Sequence, residues 1–185
     1  MSFSGEIMEI VSLDRKEYDY YPLEYRYETD EYYKVSVKGG KEGFGVSFER
    51  QRLGEKLYYS NTDTLFQEYW NNPRAFGVKD DSGEIIAFLE FDTEEWNNRI
   101  IMTQLLVKDE CRGKGVGRML FDFVKDFAKR EDYRIITLET QNINVPAIDF
   151  YLKMGFTFCG TNLFFYSNDD IGENEVMIEM AFLLS

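Results

Sequence analysis

The sequence predicts a mixed α/β sheet fold, and three observations carry that prediction. Apolar residues alternate with period two around short glycine-containing turns. One segment, Val116 to Arg130, repeats its apolar residues at helical spacing instead. From about residue 75 onward the signals run strand, strand, strand, helix, strand, helix, strand, strand. The chain has 185 residues, 44 % of them hydrophobic and 17 % aromatic, so it can fill one core and reads as a single domain over 1–185.

In the tyrosine-rich first sixty residues, Tyr33, Val35 and Val37 alternate with Lys34, Ser36 and Lys38. Phe44, Val46 and Phe48 alternate with Gly45, Ser47 and Glu49 beyond "GGKEG", which predicts a hairpin whose apolar face lies in the core. The spacing predicts a helix over about Thr62–Asn71, stopped by Pro73. "AFGVKDDSGEIIAFLEFD" reads as two strands joined by an Asp-Ser-Gly turn, and "RIIMTQLLVKD" as the next strand. The helix over Val116–Arg130 presents Val116, Leu120, Phe123, Val124, Phe127 and Ala128 on one face. Its last turn carries Lys129 and Arg130, where cations suit the helix dipole. "RIITLET" is a strand. Asn144 then suits an N-cap, Pro146 a first turn and Gly155 the position past a short helix. Strands over about Phe158–Tyr166 and Val176–Leu183, joined by "SNDDIGEN", complete the order.

The charge excludes some functions. With 34 acidic and 21 basic residues the net charge is -13, which argues against a general nucleic-acid binder, since that needs a basic footprint. It is compatible with a cationic substrate and with simple solubility. No stretch reaches the ~18–20 consecutive apolar residues of a membrane span, and "MSFSGEIMEI" lacks a signal-peptide pattern. Cys111 and Cys159 form neither a disulfide framework nor a metal spacing, so a reduced, cytoplasmic setting is expected. The chain has no histidine, which removes the Ser-His-Asp arrangement and most zinc sites. Proton transfer is left to carboxylates, tyrosine, cysteine, lysine or water.

One segment runs against the overall charge. "ECRGKGVGRML" sets Arg112, Lys114 and Arg118 around Gly113, Gly115 and Gly117, just before the long helix. Glycines allow positive φ and close backbone approach, and free amides at a helix N-terminus attract phosphate. A phosphate-bearing ligand is expected there. The Gly-Lys-Ser/Thr ending of a Walker loop and the glycine spacing of a dinucleotide fingerprint are both missing.

On these residues the chain resembles the GNAT N-acetyltransferase superfamily. Arg112, Gly115 and Gly117 match its Arg/Gln-x-x-Gly-x-Gly/Ala signature, five residues after the strand-terminal Val107. Asn144, Ala147, Tyr151, Gly155 and Phe156 match a second motif, and the resemblance covers about residues 75–185. "LETQNINVPAIDFYLKMGF" and "EEWNNRI" are similar to segments of the streptothricin acetyltransferases. Where that subgroup tends to carry adjacent acids before Val107, this chain has Thr103 and Gln104.

The resemblance implies a central mixed, mostly antiparallel sheet flanked by helices, with a variable part over 1–74 and an acetyl-CoA-binding core over 75–185. It implies acetyl-CoA as co-substrate, no metal, and direct transfer of acetyl to a primary amine on a small, cationic, streptothricin-like molecule. A homodimer is compatible with it. Leu105, Leu106 and Val107 would face the pantetheine arm. The amides of Gly113, Lys114, Gly115, Val116, Gly117 and Arg118 would face the pyrophosphate beside the Arg112 side chain. Tyr151 would protonate the departing thiolate, and Glu139 would act as base through water. Asn144 would touch the cofactor, cap its helix, or both. Cys111 has no partner for nucleophilic work, whereas Asp92, Glu94 and Glu95 near Trp96 are candidates for drawing a cation. A peptide or protein acceptor, and a CoA-binding domain without turnover, stay open as alternatives.

Overall fold

Asp14 ends the first strand and starts a helical turn, because its carboxylate accepts the Lys16 N–H (2.8 Å). The structure, a computed structural model, describes residues 8–184, so the expectation about the extreme N-terminus lies largely outside the described residues. In chain order the elements begin with β1 (Glu9–Leu13), α1 (Arg15–Tyr18), β2 (Pro22–Gly40), β3 (Gly43–Thr64), β4 (Arg74–Lys79) and β5 (Ile85–Glu94). They continue with β6 (Arg99–Val107), α2 (Val116–Arg130), β7 (Ile135–Gln141), α3 (Val145–Met154), β8 (Thr157–Asn162), α4 (Asp170–Glu173) and β9 (Met177–Leu183).

The chain divides into two compact units. The first comprises the described residues up to Tyr25, then Asn61–Thr137 and the residues from Leu183. The second comprises Arg26–Ser60 and Leu138–Phe182. In the first unit the strand order is β1-β4-β5-β6 and then β7; in the second it is β7-β9-β8. The pairs β1–β4, β4–β5, β5–β6 and β8–β9 are antiparallel. The neighbours β6 and β7 are joined through α2, the crossover that a parallel pair needs, so the sheet is mixed as expected.

In the first unit, β5 is the central strand: Ile86 to Asp92 are all buried, as befits a strand covered on both faces. The α2 face buries Val116, Leu120, Phe121, Val124, Phe127 and Ala128. Its aromatic side meets the sheet through Phe123 on Phe76 (4.7 Å) and Phe127 on Phe91 (5.1 Å). The turn between β4 and β5 is organised by Asp80, whose carboxylate accepts from Ser82 N (2.9 Å) and Glu84 N (3.0 Å), with Gly83 at φ +83°.

The helix expected over Thr62–Asn71 does not form. β3 runs to Thr64, and the loop that follows gives its amides to acids of β5. Phe66 N donates to Glu90 Oε2 (2.6 Å), and Asn71 N and Asn72 N donate to Asp92 (2.8 and 3.2 Å). Glu90 and Asp92 are 0 % and 3 % exposed, and a buried carboxylate needs donors, so the segment spends its N–H groups there instead of on helical carbonyls. Phe66, at φ 59°, marks the break.

In the second unit the hairpin forms as expected, β2 and β3 making a two-stranded sheet of their own. Its apolar face was expected in the core, and of those residues Val35 is buried, while Phe48 packs half-buried on Phe158 (5.4 Å), itself 49 % exposed. At the tip Val37 is 50 % and Phe44 91 % exposed, because alternation chooses a face but supplies nothing to cover it. Arg50 clamps the hairpin to α3, reaching Glu31 (2.6 Å) and Asp149 (2.8 Å). The fully buried Asn142 is the hub. It receives Tyr33 N on its carbonyl (2.9 Å) and Val176 N on its side-chain oxygen (2.8 Å), and its amide donates to Tyr33 O (2.9 Å). The expected strand Phe158–Tyr166 stops at Asn162, whose side chain turns the chain by accepting Phe164 N (3.1 Å).

Candidate active site

Two left-handed glycines shape the phosphate-like turn of the first unit. Gly113 (φ +74°) and Gly115 (φ +86°) take conformations that a Cβ disfavours, and Gly115 is the N-cap of α2. The first helical bond there runs from Met119 N to Gly115 O (3.0 Å), so the amides of Val116, Gly117 and Arg118 precede it and lack intrahelical acceptors. Around Gly113 and Gly115 a Cβ would meet nothing within 4 Å, so the turn is open to a ligand. Arg118 is exposed, with no ion-pair partner among the described residues. Arg112 behaves differently. Its Nε donates to Val107 O (3.1 Å) and its guanidinium pairs with Asp109 (2.8 Å), so it ties the turn to the strand end. Leu105 and Val107 are half-buried, and Leu106 is part of the core with Leu13, Leu23, Leu65 and Phe88. Cys111 closes the single turn after Val107, donating its N–H to Lys108 O (2.9 Å).

Upstream on β6, the pairing with β5 slips by one residue between Gln104↔Glu90 and Met102↔Phe91, leaving Thr103 at a bulge. Thr103 Oγ1 donates to Glu90 Oε1 (2.8 Å), and Gln104 Nε2 donates to Asp63 Oδ2 (2.8 Å). Tyr25 Oη donates to Gln104 Oε1 (2.6 Å). The acids absent from β6 itself thus stand one hydrogen bond away, on β3 and β5. Burial pushes the Glu90 carboxyl up, opposed by the Phe66 N–H and the Thr103 hydroxyl, with Asp63 and Asp92 adding to the rise. Sequence reasoning missed Glu90, because its place within an apolar run gives no signal of its own.

Asp92, expected as a lure for cations, is instead a structural acid engaged by Asn71 N and Asn72 N. Glu94 pairs with Arg99 (2.6 Å), and Trp96 is 82 % exposed.

The second unit holds Glu139, Asn144 and Tyr151. Asn144 caps α3 by accepting Ala147 N (3.2 Å), and Gly155 ends the helix at φ +95°. Tyr151 packs edge-on to Phe150 (5.4 Å) and against Phe156 (5.5 Å). Its hydroxyl makes no hydrogen bond among the described residues, and burial pushes its pKa above the ordinary tyrosine value. Glu139 is exposed at the end of β7, where its charge helps raise the Tyr166 phenol, after burial as the main cause. Tyr166 in turn feels Tyr59, Asp170 and Glu175.

The acetyltransferase (GNAT) family model matches residues 44–156. A streptothricin acetyltransferase of Escherichia coli is 37 % identical over 134 residues, covering 72 % of this chain and 73 % of that protein. The chain belongs to the acetyltransferase (GNAT) family. A second relative, a streptothricin acetyltransferase of Streptomyces lavendulae, is 33 % identical over 108 residues, 58 % of this chain and 57 % of that protein. The crystal structure of nourseothricin acetyltransferase superposes with a TM-score of 0.73 at 25 % identity, over 96 % of this chain and 99 % of that one. A Bacillus anthracis protein crystallised with acetyl coenzyme A shares the fold, with a TM-score of 0.71 at 24 % identity. As a GNAT enzyme this chain is an N-acetyltransferase with acetyl-CoA as donor. Among the described residues no cluster of His, Cys, Asp and Glu could hold a metal, and no helix is long and apolar enough to cross a membrane.

Proposed function

We propose that this GNAT enzyme acetylates a primary amine on a small cationic molecule of the streptothricin class, and so inactivates the antibiotic. The observation that carries the reading is the open turn before α2, with two positive-φ glycines, three amides that lack intrahelical acceptors, and an exposed Arg118 with no ion-pair partner among the described residues. The acetyl-CoA pyrophosphate lies there, and the pantetheine arm runs along Leu105 to Val107. The attacking amine must first lose a proton, which for a lysine-like amine costs roughly 4–5 kcal/mol at neutral pH. Glu139 takes that proton through water. The amine nitrogen then attacks the thioester carbonyl to form a C–N bond. The tetrahedral adduct expels the thiolate as the C–S bond breaks, and Tyr151 protonates that thiolate. The extra proton left on the acylated nitrogen passes through water to restore the Tyr151 phenol. Such proton transfers are each worth ~10²–10⁴ in rate.

The test is thiol release from acetyl-CoA across streptothricin, simple alkylamines and peptides with free N-termini. The small cations should have the higher kcat/KM, with streptothricin at the top. A peptide that is better by tenfold or more would overturn the acceptor assignment and put a peptide N-acetyltransferase in its place.

A further inference from the structure

The second unit contains a cleft of about 610 Å³, within the range of small-molecule sites. Strand β3 supplies Glu55, Lys56 and Tyr59, the chain after β7 supplies Ile143, and the α4 region supplies Glu173 and Glu175. Three carboxylates face one lysine, and Lys56 is drawn away to Glu28 (3.0 Å). Tyr59 stacks on Tyr27 (4.9 Å), so the cleft offers an aromatic wall as well as negative charge. The Tyr27 hydroxyl is buried and has no hydrogen-bond partner among the described residues, whereas buried polar groups nearly always have one. It lies in the field of Tyr59 and Glu175, both of which line the cleft.

The α4 wall is held in advance. The fully buried Asp170 accepts Tyr166 N (3.0 Å) and Ser167 N (2.6 Å) on its carboxylate, and its carbonyl accepts Glu175 N (2.8 Å). Burial is the main cause that raises the Tyr166 phenol, and the charges of Glu139, Tyr59, Asp170 and Glu175 add to the rise, so the expected proton acceptor and two residues of the cleft act on one common neighbour.

We propose that this cleft anchors a second positive charge of the acceptor, an ammonium or guanidinium separate from the amine that is acetylated. The enzyme therefore selects small molecules with at least two cations. This rests on the acetyltransferase reading and adds a charge-counting specificity to it.

The experiment compares α,ω-diaminoalkanes of five to eight carbons with monoamines of the same lengths, in the full chain and in Glu175→Gln and Glu55→Gln. The diamine should be favoured in kcat/KM by roughly tenfold or more, about the effect of one well-placed ionic contact. The ratio should fall toward one in Glu175→Gln. Calorimetry of the diamine without acetyl-CoA should show binding that weakens in the same variant and with added salt. A diamine and a monoamine turned over equally well would overturn this inference while leaving the acetyltransferase reading intact. A ratio that survives in both variants also overturns it. If no amine is turned over, the acetyltransferase reading fails, and the calorimetry alone then decides whether the cleft binds a dication.

Discussion

A phenol can protonate a thiolate only while it still holds its own proton, and the environment of Tyr151 ensures that it does. Burial among Phe150 and Phe156 disfavours the phenolate and pushes the pKa above its usual value near 10. The sign follows: Tyr151 stays protonated through the working range and loses its proton only at strongly alkaline pH. Tyr151→Phe should lower kcat roughly tenfold or more while the KM for acetyl-CoA stays within about twofold. The kcat–pH profiles of the two proteins should run parallel between about pH 6 and about pH 9, the variant on a lower plateau. An alkaline limb in that window that disappears in Tyr151→Phe would show a phenol ionising near neutrality, contrary to its burial. Gly115 is the companion case. A Cβ there meets nothing within 4 Å, so Gly115→Val suffers only the left-handed φ of +86°, roughly 1–3 kcal/mol. The fold should survive, and acetyl-CoA affinity measured by calorimetry should fall by tenfold or more. Undiminished affinity in the folded variant removes the turn from the cofactor site.

Between elements, the strap that joins the loop after β3 to β5 has its own pH dependence. The folded state holds Glu90 with a raised pKa, so it binds this proton more tightly than the unfolded chain does. The stability from that group is therefore present below the unfolded carboxyl value of about 4.3 and is lost as pH rises through the folded value. Glu90→Gln carries no charge to bury and keeps an oxygen for Phe66 N. The variant should gain on the natural chain, in denaturant midpoint, as pH rises from about 4 to about 8. A difference that does not change with pH would mean that Glu90 is not strained by burial. This strap also shows where sequence reading ends. Helix α2 was legible from its apolar spacing and α3 from its caps, because Asn144 and Gly155 act on neighbours a few residues away. The loop over 65–72 was read as a helix, because its amides are claimed by carboxylates some twenty residues further on. Asn142 escaped notice for the same reason, since its partners Tyr33 and Val176 are distant in sequence. The glycine turn was legible as a local motif, and Tyr151 is proposed from one, whereas the cleft beside Tyr59 depends on a long-range meeting of β3 with the α4 region and leaves no local pattern.

For the molecule as a whole, the charge of -13 acts on the two substrates in opposite directions. A cationic acceptor is drawn toward the protein at long range, and an anionic acetyl-CoA is repelled except near Lys114 and Arg118. Salt screens the long-range part first: the Debye length falls from about 30 Å at 0.01 M to about 8 Å at 0.15 M, while contacts at a few ångströms persist. Raising ionic strength over that range should therefore lower kcat/KM for a dicationic acceptor several-fold, with most of the loss in KM. The same change should leave kcat/KM for acetyl-CoA level or slightly higher, because the general repulsion is screened before the local attraction. A neutral hydroxylamine-type acceptor should barely respond. Stopped-flow measurement of both substrates across the salt series separates these effects. If acceptor and donor respond alike, the salt acts on the fold or the chemistry, and the protein's charge has no part in choosing the acceptor.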